Sequence, residues 1–238
     1  ANAPAAPPAP APTPAAPSAL KAWLSAARPK TLTVSVAPVA VATALAHAQG
    51  AARPLAALVA LLGALLIQVG TNLHNDAADF RRGADDEDRI GPARATQQGW
   101  LTEGQVQGAA YAAFALSALL GVYLVYLAGW PLLAVGLVSI ACGLAYTGGP
   151  FPLAYLGVAD LFVLVFFGLV ATGGAYYVQA LSLPPQALIA GLPLGLLATA
   201  ILAVNNLRDR VGDARVGKKT LAVRFGERFV SEFLLAKQ

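Results

Sequence analysis

Two short runs hold most of the side chains that could do polar chemistry in an otherwise apolar chain. The first, Asn72-Leu-His-Asn75-Asp76-Ala-Ala-Asp79, spaces Asn72, Asn75, Asp76 and Asp79 by three and four residues. On a helix that spacing gathers two carboxylates and two amides on one face. The second, from Asn205-Asn206-Leu-Arg208-Asp209 to Asp213, repeats Asn205, Asp209 and Asp213 every four residues, again on one face. Hard oxygen ligands of this kind suit Mg²⁺, which takes one or two carboxylates and keeps water and substrate phosphate oxygens as its remaining ligands. Arg81 and Arg82 beside the first run, and Arg208, Lys218 and Lys219 beside the second, are phosphate donors. A pyrophosphate held between the two runs, with its hydrocarbon tail among apolar helices, would use both. The plain alternative is solvated loop charge and helix capping. Two runs with the same period, on the same side of a bundle, speak against it.

The elements that must position these runs are apolar helices. Of 238 residues, 57% are hydrophobic and only 12% charged, with a mean hydropathy of +0.62, whereas a soluble domain carries about 25% charged residues. Apolar stretches at 31–48, 54–74, 104–128, 130–147, 158–180 and 187–207 are each about the length that crosses some 30 Å of hydrocarbon as a helix. The expected fold is therefore an all-α, polytopic transmembrane bundle of six spans, with a seventh beginning near Phe229. Residues 18–30 mix Trp23 and Leu24 with Lys21, Arg28 and Lys30, as a helix lying on the membrane surface would. Residues 1–19 are almost all Ala and Pro, with prolines from Pro4 to Pro17. They are expected to be a disordered leader, lacking the basic start and apolar centre of a secretory signal. The membrane domain is then 20–238. The sequence contains no Met, and the expectation is of a processed or partial chain.

Charge orients the bundle. Lys and Arg collect before the first span, after the second and after the sixth, leaving only Arg53 and Lys237 elsewhere among the 16 basic residues. With alternating crossings the three clusters share one side, which the positive-inside rule makes cytoplasmic. The net charge of +4 is explained by this topology, and no nucleic-acid partner is expected. The single cysteine, Cys142, lies in an apolar run. That excludes an internal disulfide framework or a Cys-based metal site.

At the two runs the chain resembles the UbiA superfamily of intramembrane aromatic prenyltransferases, whose first motif is of the type NDxxDxxxD and whose second is DxxxD. Asn75, Asp76 and Asp79 fit the first, with Gly83 standing where the commonest last Asp lies; Asp209 and Asp213 fit the second. Several other segments resemble the branch that prenylates 1,4-dihydroxy-2-naphthoate. They are Asp85, the run Arg89-Ile-Gly91-Pro92-Ala-Arg94, the segment 146–157 from Tyr146 through Pro150, Pro152 and Tyr155 to Gly157, and the stretch from Asn205 through Gly217-Lys218-Lys-Thr220 to Arg224-Phe-Gly226. The resemblance runs from about Arg28 to the end. It implies about nine transmembrane helices, and so a chain truncated at its C-terminus.

The resemblance further implies that Asp76, Asp79, Asp209 and Asp213 hold Mg²⁺ on a polyprenyl pyrophosphate. Asn72, Asn75 and Asn205 assist, Arg208 and Lys218 contact phosphate, and Asp85 or Asp86 stands in for the acid missing at Gly83. An electron-rich aromatic acceptor, dihydroxynaphthoate, attacks the allylic carbon, carbon dioxide is lost, and demethylmenaquinone forms. The implied setting is the lipid bilayer of a bacterial inner membrane. A prenyltransferase for 4-hydroxybenzoate is the nearest alternative. An ion-coupled transporter is the alternative of another class, and it requires acids near the bilayer midplane.

Tyr146, Tyr155 and Asp160 fall at the turn between the fourth and fifth spans, on the side of the acids. Tyr146 is a further catalytic candidate, because an aromatic face can stabilise a cation; Tyr at a membrane interface also serves as an anchor. His74 has no second His at ligand spacing and reads as a satisfied interfacial side chain. Gly173, Gly174 and the other intramembrane glycines are expected to allow close helix contact.

Overall fold

The computed structural model describes residues 17–84 and 90–235, and among them every regular element is helical. Of the expected leader only its last three residues fall in that range, and Ser18 there caps a helix by accepting from the Lys21 amide. The rest of the leader, like Asp85, Asp86 and Arg89, lies outside the described residues. α1 (Ala19–Ala27) buries Ala22 and Ala26 and exposes Leu20 and Leu24, as a surface helix should. Arg28 then turns left-handed (φ 53°) and Pro29 opens a single 3-10 turn. As a result α2 (Thr33–Ala48) departs at 48° from the segment Ala19–Thr31.

Length decides where the first polar run ends up. α3 (Pro54–Arg81) has Pro at its first position and 28 residues, about 42 Å at roughly 1.5 Å per residue, against about 30 Å of hydrocarbon. Its final turns, bearing Asn75, Asp76 and Asp79, outlast the apolar layer. α4 (Glu103–Ala128) starts from a capping box in which Thr102 and Gln105 exchange side-chain and backbone bonds. It returns antiparallel along α3, with Ser117 donating to the Gly63 carbonyl and Phe114 seated over Gly70. α5 (Trp130–Ala145) has only 16 residues, about 24 Å. It is followed by α6 (Leu153–Leu156), α7 (Ala159–Val163), a π-helical turn over Leu164–Val170, and α8 (Ala171–Ala180). α7, the π turn and α8 form one apolar helix of 22 residues. α9 (Pro185–Arg208), α10 (Arg210–Arg215) and α11 (Leu221–Leu235) complete the described chain.

The all-α bundle is as expected, but the spans differ in detail. Among the described residues four helices are long and apolar enough to cross alone: Pro54–Arg81, Glu103–Ala128, Ala159–Ala180 and Pro185–Arg208. Ala19–Thr31 with Thr33–Ala48 makes a fifth only if the bend is counted within one span, and α5 falls short of the length. The segment expected to start a seventh span near Phe229 belongs to α11, which begins earlier, at Leu221, and breaks at Gly226 (φ 80°).

Close helix contact at the intramembrane glycines is as expected, and it is tightest on α9. A Cβ on Gly191 would lie 2.5 Å from the Gly168 carbonyl oxygen, and one on Gly195 would lie 2.4 Å from that of Leu164. α9 therefore presses on the π turn. Gly173 faces the side chains of Leu183 and Leu188 instead, and Gly174 only touches Val135.

The end of the bundle remote from the acids is tied by neutral polar groups. Tyr176 donates to Gln49; the Gln179 amide donates to Thr43 (3.2 Å) and to the Ala175 carbonyl (2.9 Å), and its oxygen accepts from the Arg53 amide (3.4 Å).

Candidate active site

The acid-bearing end of α3 is buried even though it outlasts the apolar layer. Asn72, Asn75, Asp76 and Asp79 are at most 7% exposed, Asp76 not at all. Helical spacing puts them on one face, and neighbouring segments close over that face. Asn72 donates to the Ala27 carbonyl (2.9 Å) and to Thr31 (3.0 Å), which fastens the turn after α1 to α3. Asn75 accepts from Thr147 at 2.7 Å. Asp76 accepts from the Ala95 amide at 3.2 Å, and Arg94 stands 3.7 Å from Asp79. Yet Asp76 Oδ1 and Asp79 Oδ1 accept no hydrogen bond. A buried carboxylate oxygen with open valence is costly unless a cation or donor meets it.

The second run comes to the same place. Where the sequence pattern suggested one continuous helix, α9 ends at Arg208 and α10 restarts at Arg210. The four-residue step survives in the backbone, because Asp209 N–H donates to Asn205 and Asp213 N–H to Asp209. Lys218 closes the site: its Nζ lies 3.4 Å from Asp79 Oδ1 and 3.4 Å from Asp213 Oδ1. One residue of each motif thus meets on a single ammonium. Burial pushes the Asp213 carboxyl above its ordinary value against the pull of Lys218, with Asp209 and Asp79 adding to the rise. Burial alone would lower Lys218, but Asp79 and Asp213 outweigh it and hold its ammonium above the usual lysine range.

Arg208, expected on phosphate, grips Asp209 with two nitrogens, Nε to Oδ1 and Nη2 to Oδ2, each at 2.7 Å. Tyr146 follows α5 and stands in the field of Asp160, Asp79 and Asp213, on the side where the sequence put it. His74 is buried and its Nδ1 meets the Gln107 amide at 2.9 Å. Its other nitrogen packs so closely on Gly148 that a Cβ there would lie 2.2 Å away.

Other participants stand beside the runs or between them in sequence. Arg82 donates to the carbonyls of Thr147 and Gly149, fixing the turn after α5. Arg82 and Lys218 also both lie against the ring of Tyr155. Burial holds the Tyr155 phenol up, so the ring stays neutral. Arg94 was visible in the basic cluster after the second span and in a resembling segment, Tyr155 also at the turn between the fourth and fifth spans, and Thr147 only within the segment 146–157.

Among the described residues no three acidic, His or Cys side chains converge as an all-protein metal cage. Asp76 Oδ1, which accepts no hydrogen bond, and Asp79 Oδ1, which has the Lys218 ammonium beside it at ion-pair distance, nevertheless fit Mg²⁺, since this ion needs few carboxylates when phosphate supplies the rest. The acids stand at one end of the bundle, not at the midplane that transport would require.

The comparisons with known proteins agree with this geometry. Residues 35–236 match the model of the UbiA prenyltransferase family. The 1,4-dihydroxy-2-naphthoate octaprenyltransferase of Escherichia coli (strain K12) is 44% identical over 216 residues, covering 88% of this chain and 70% of that protein. The enzyme of the same name from Mycobacterium tuberculosis is 43% identical over 205 residues, covering 86% of this chain and 70% of that protein. A solved structure of digeranylgeranylglyceryl phosphate synthase superposes with a TM-score of 0.58 at 17% identity, over 92% of this chain and 76% of that one, and so shares the fold.

Proposed function

The chain belongs to the UbiA prenyltransferase family, and from that premise we propose that it transfers a polyprenyl group from polyprenyl pyrophosphate to 1,4-dihydroxy-2-naphthoate. The allylic C–O bond breaks and pyrophosphate leaves with the electron pair. The ring carbon bearing the carboxylate forms the new C–C bond. Loss of carbon dioxide returns its electron pair to the ring and leaves the quinol of demethylmenaquinone. The observation that carries this reading is the meeting of Asp79 and Asp213 on Lys218 at one end of an apolar bundle. The choice of a naphthoate acceptor is supported by the relatives' names and their 43–44% identity.

Mg²⁺, held by Asp76, Asp79, Asp209 and Asp213, would neutralise the leaving pyrophosphate. Lys218, Arg82 and Arg208 supply further positive charge, with Asn72, Asn75 and Asn205 as polar support. Tyr146 presents an aromatic face toward the positive charge that develops on the allyl group. The apolar helices beyond keep water from that carbon. The site end also carries Arg81, Arg82, Arg94, Arg208 and Lys218, against Arg53 at the other, which supports a bacterial inner-membrane protein with this end in the cytoplasm.

The test is competition. Full-length protein in membranes is given radiolabelled polyprenyl pyrophosphate and equal concentrations of dihydroxynaphthoate and 4-hydroxybenzoate, with products identified by mass. Prenylated naphthalenediol as the main product is expected, and chelation should stop the reaction until Mg²⁺ is restored. Mainly prenylated hydroxybenzoate would move the protein to another branch of the family.

A further inference from the structure

Tyr155 belongs to neither acid motif, yet the basic arms of both converge on it. Arg82 Cζ lies 5.0 Å from the centre of its ring and Lys218 Nζ lies 5.6 Å from it, both inside the roughly 6 Å over which an aromatic face attracts a cation. Arg82 comes from the end of α3 and Lys218 from the loop after α10. Two like charges from separate segments do not settle against one ring unaided. The far side of each is anchored on oxygen: Arg82 on the carbonyls of Thr147 and Gly149, Lys218 on Asp79 and Asp213.

The ring is delivered to this spot by close docking. Gly157 has a left-handed φ of 76°, and a Cβ there would lie 2.3 Å from the Lys219 carbonyl oxygen. The loop bearing Lys218 can therefore reach α6 only because that position is glycine. Arg224 adds a bond to the Leu156 carbonyl at 3.1 Å. Arg82 stands near the Tyr155 hydroxyl as well as over the ring, but the hydroxyl has no partner in hydrogen-bond geometry.

We propose that Tyr155 is a positioning residue whose ring holds Arg82 and Lys218 together as a preassembled two-cation clamp for the pyrophosphate of the prenyl donor. The clamp rests on the prenyl-transfer reading and adds a residue to it. Preordering two long basic side chains spares the donor the entropy of gathering them. The effect therefore falls on donor binding and leaves the acceptor untouched.

Kinetics of the full-length enzyme in membranes separate the possibilities. Tyr155→Leu should raise the donor KM, and the inhibition constant of inorganic pyrophosphate with Mg²⁺, about tenfold each, while the acceptor KM stays within twofold. Tyr155→Phe keeps the ring and should restore both to within threefold of the parent. Phenylalanine rings of increasing fluorination at position 155 keep the shape while draining the face of negative charge, and the donor KM should climb step by step along that series. The clamp is overturned by a flat fluorination series, by Tyr155→Phe as damaging as Tyr155→Leu, or by a shift in acceptor KM instead of donor KM. If the parent enzyme transfers no prenyl group at all, the reaction assigned above is wrong. The clamp is then judged by whether Mg²⁺ and inorganic pyrophosphate protect the parent, and not the fluorinated series, against thermal unfolding.

Discussion

The two polar ends of this bundle are built on opposite rules. At one end Tyr176, Gln49, Gln179 and Thr43 are neutral, and the amide of Gln179 is engaged through both its nitrogen and its oxygen. At the other, Asp76 and Asp79 are buried, each with an oxygen that accepts no hydrogen bond, and the cations nearest Asp79 stand at ion-pair distance, Lys218 at 3.4 Å and Arg94 at 3.7 Å. An unmet buried polar atom costs about 1–3 kcal/mol, so the second end is less stable than it would be with apolar side chains. Saturated valences hold helices together. Open ones, kept open by the surrounding fold, are where a ligand completes the structure.

That contrast can be broken most forcefully at Asp76. Asp76→Asn in the full-length protein should lower prenyl transfer by at least about 100-fold while leaving the thermal melt unchanged or raised, since a buried charge is removed. Transfer at the parent rate would make the acids packing groups and erase the distinction. Gly148→Ala comes next: its new Cβ would meet His74 Nε2 at 2.2 Å and the Leu144 carbonyl at 2.6 Å. Overpacking of that kind costs about 1–3 kcal/mol, and because it displaces the turn holding Asn75 and Arg82 it should lower both the melting temperature and transfer. Gln179→Ala at the remote end should cost about 1–2 kcal/mol of stability with transfer within twofold, read by the same melt and radiometric assay. The smallest effect is expected at the exposed Arg81–Glu103 pair (2.9 Å): Glu103→Gln should move the melt by no more than about 0.5 kcal/mol equivalent.

The neutral ties of the remote end carried no mark in the sequence, whereas part of the site did. Helical period put Asn72, Asn75, Asp76 and Asp79 on one face, and the structure buries that same face. Repetition of the pattern at Asp209 and Asp213 suggested that the runs meet, and Lys218 joins them. Periodicity could not show that Arg208 turns back on its own neighbour Asp209, because an Arg beside an Asp reads equally as a ligand or as an internal pair. Nor could it show Thr147 reaching Asn75 or the Ala95 amide reaching Asp76, contacts that join residues distant in sequence. The spans differ from the sequence pattern where local backbone decides: a left-handed Arg28 before Pro29 bends the first crossing, and α5 ends at Ala145, just before Tyr146-Thr-Gly-Gly-Pro150.

The π turn at Leu164–Val170 has a consequence for azimuth. Each α-helical residue advances the side-chain direction by about 100°. Along an unbroken α-helix Asp160 would then point about 120° away from Thr172 and about 100° away from Gln179. A π turn takes up roughly one extra residue. With it absorbed, Thr172 falls within about 20° of Asp160, and Gln179 lies directly in line with it. Asp160 Oδ1, Thr172 and Gln179 are all buried, as a single inward meridian requires. One local underwinding thus lets a single helix turn the same side inward at both of the bundle's unlike ends.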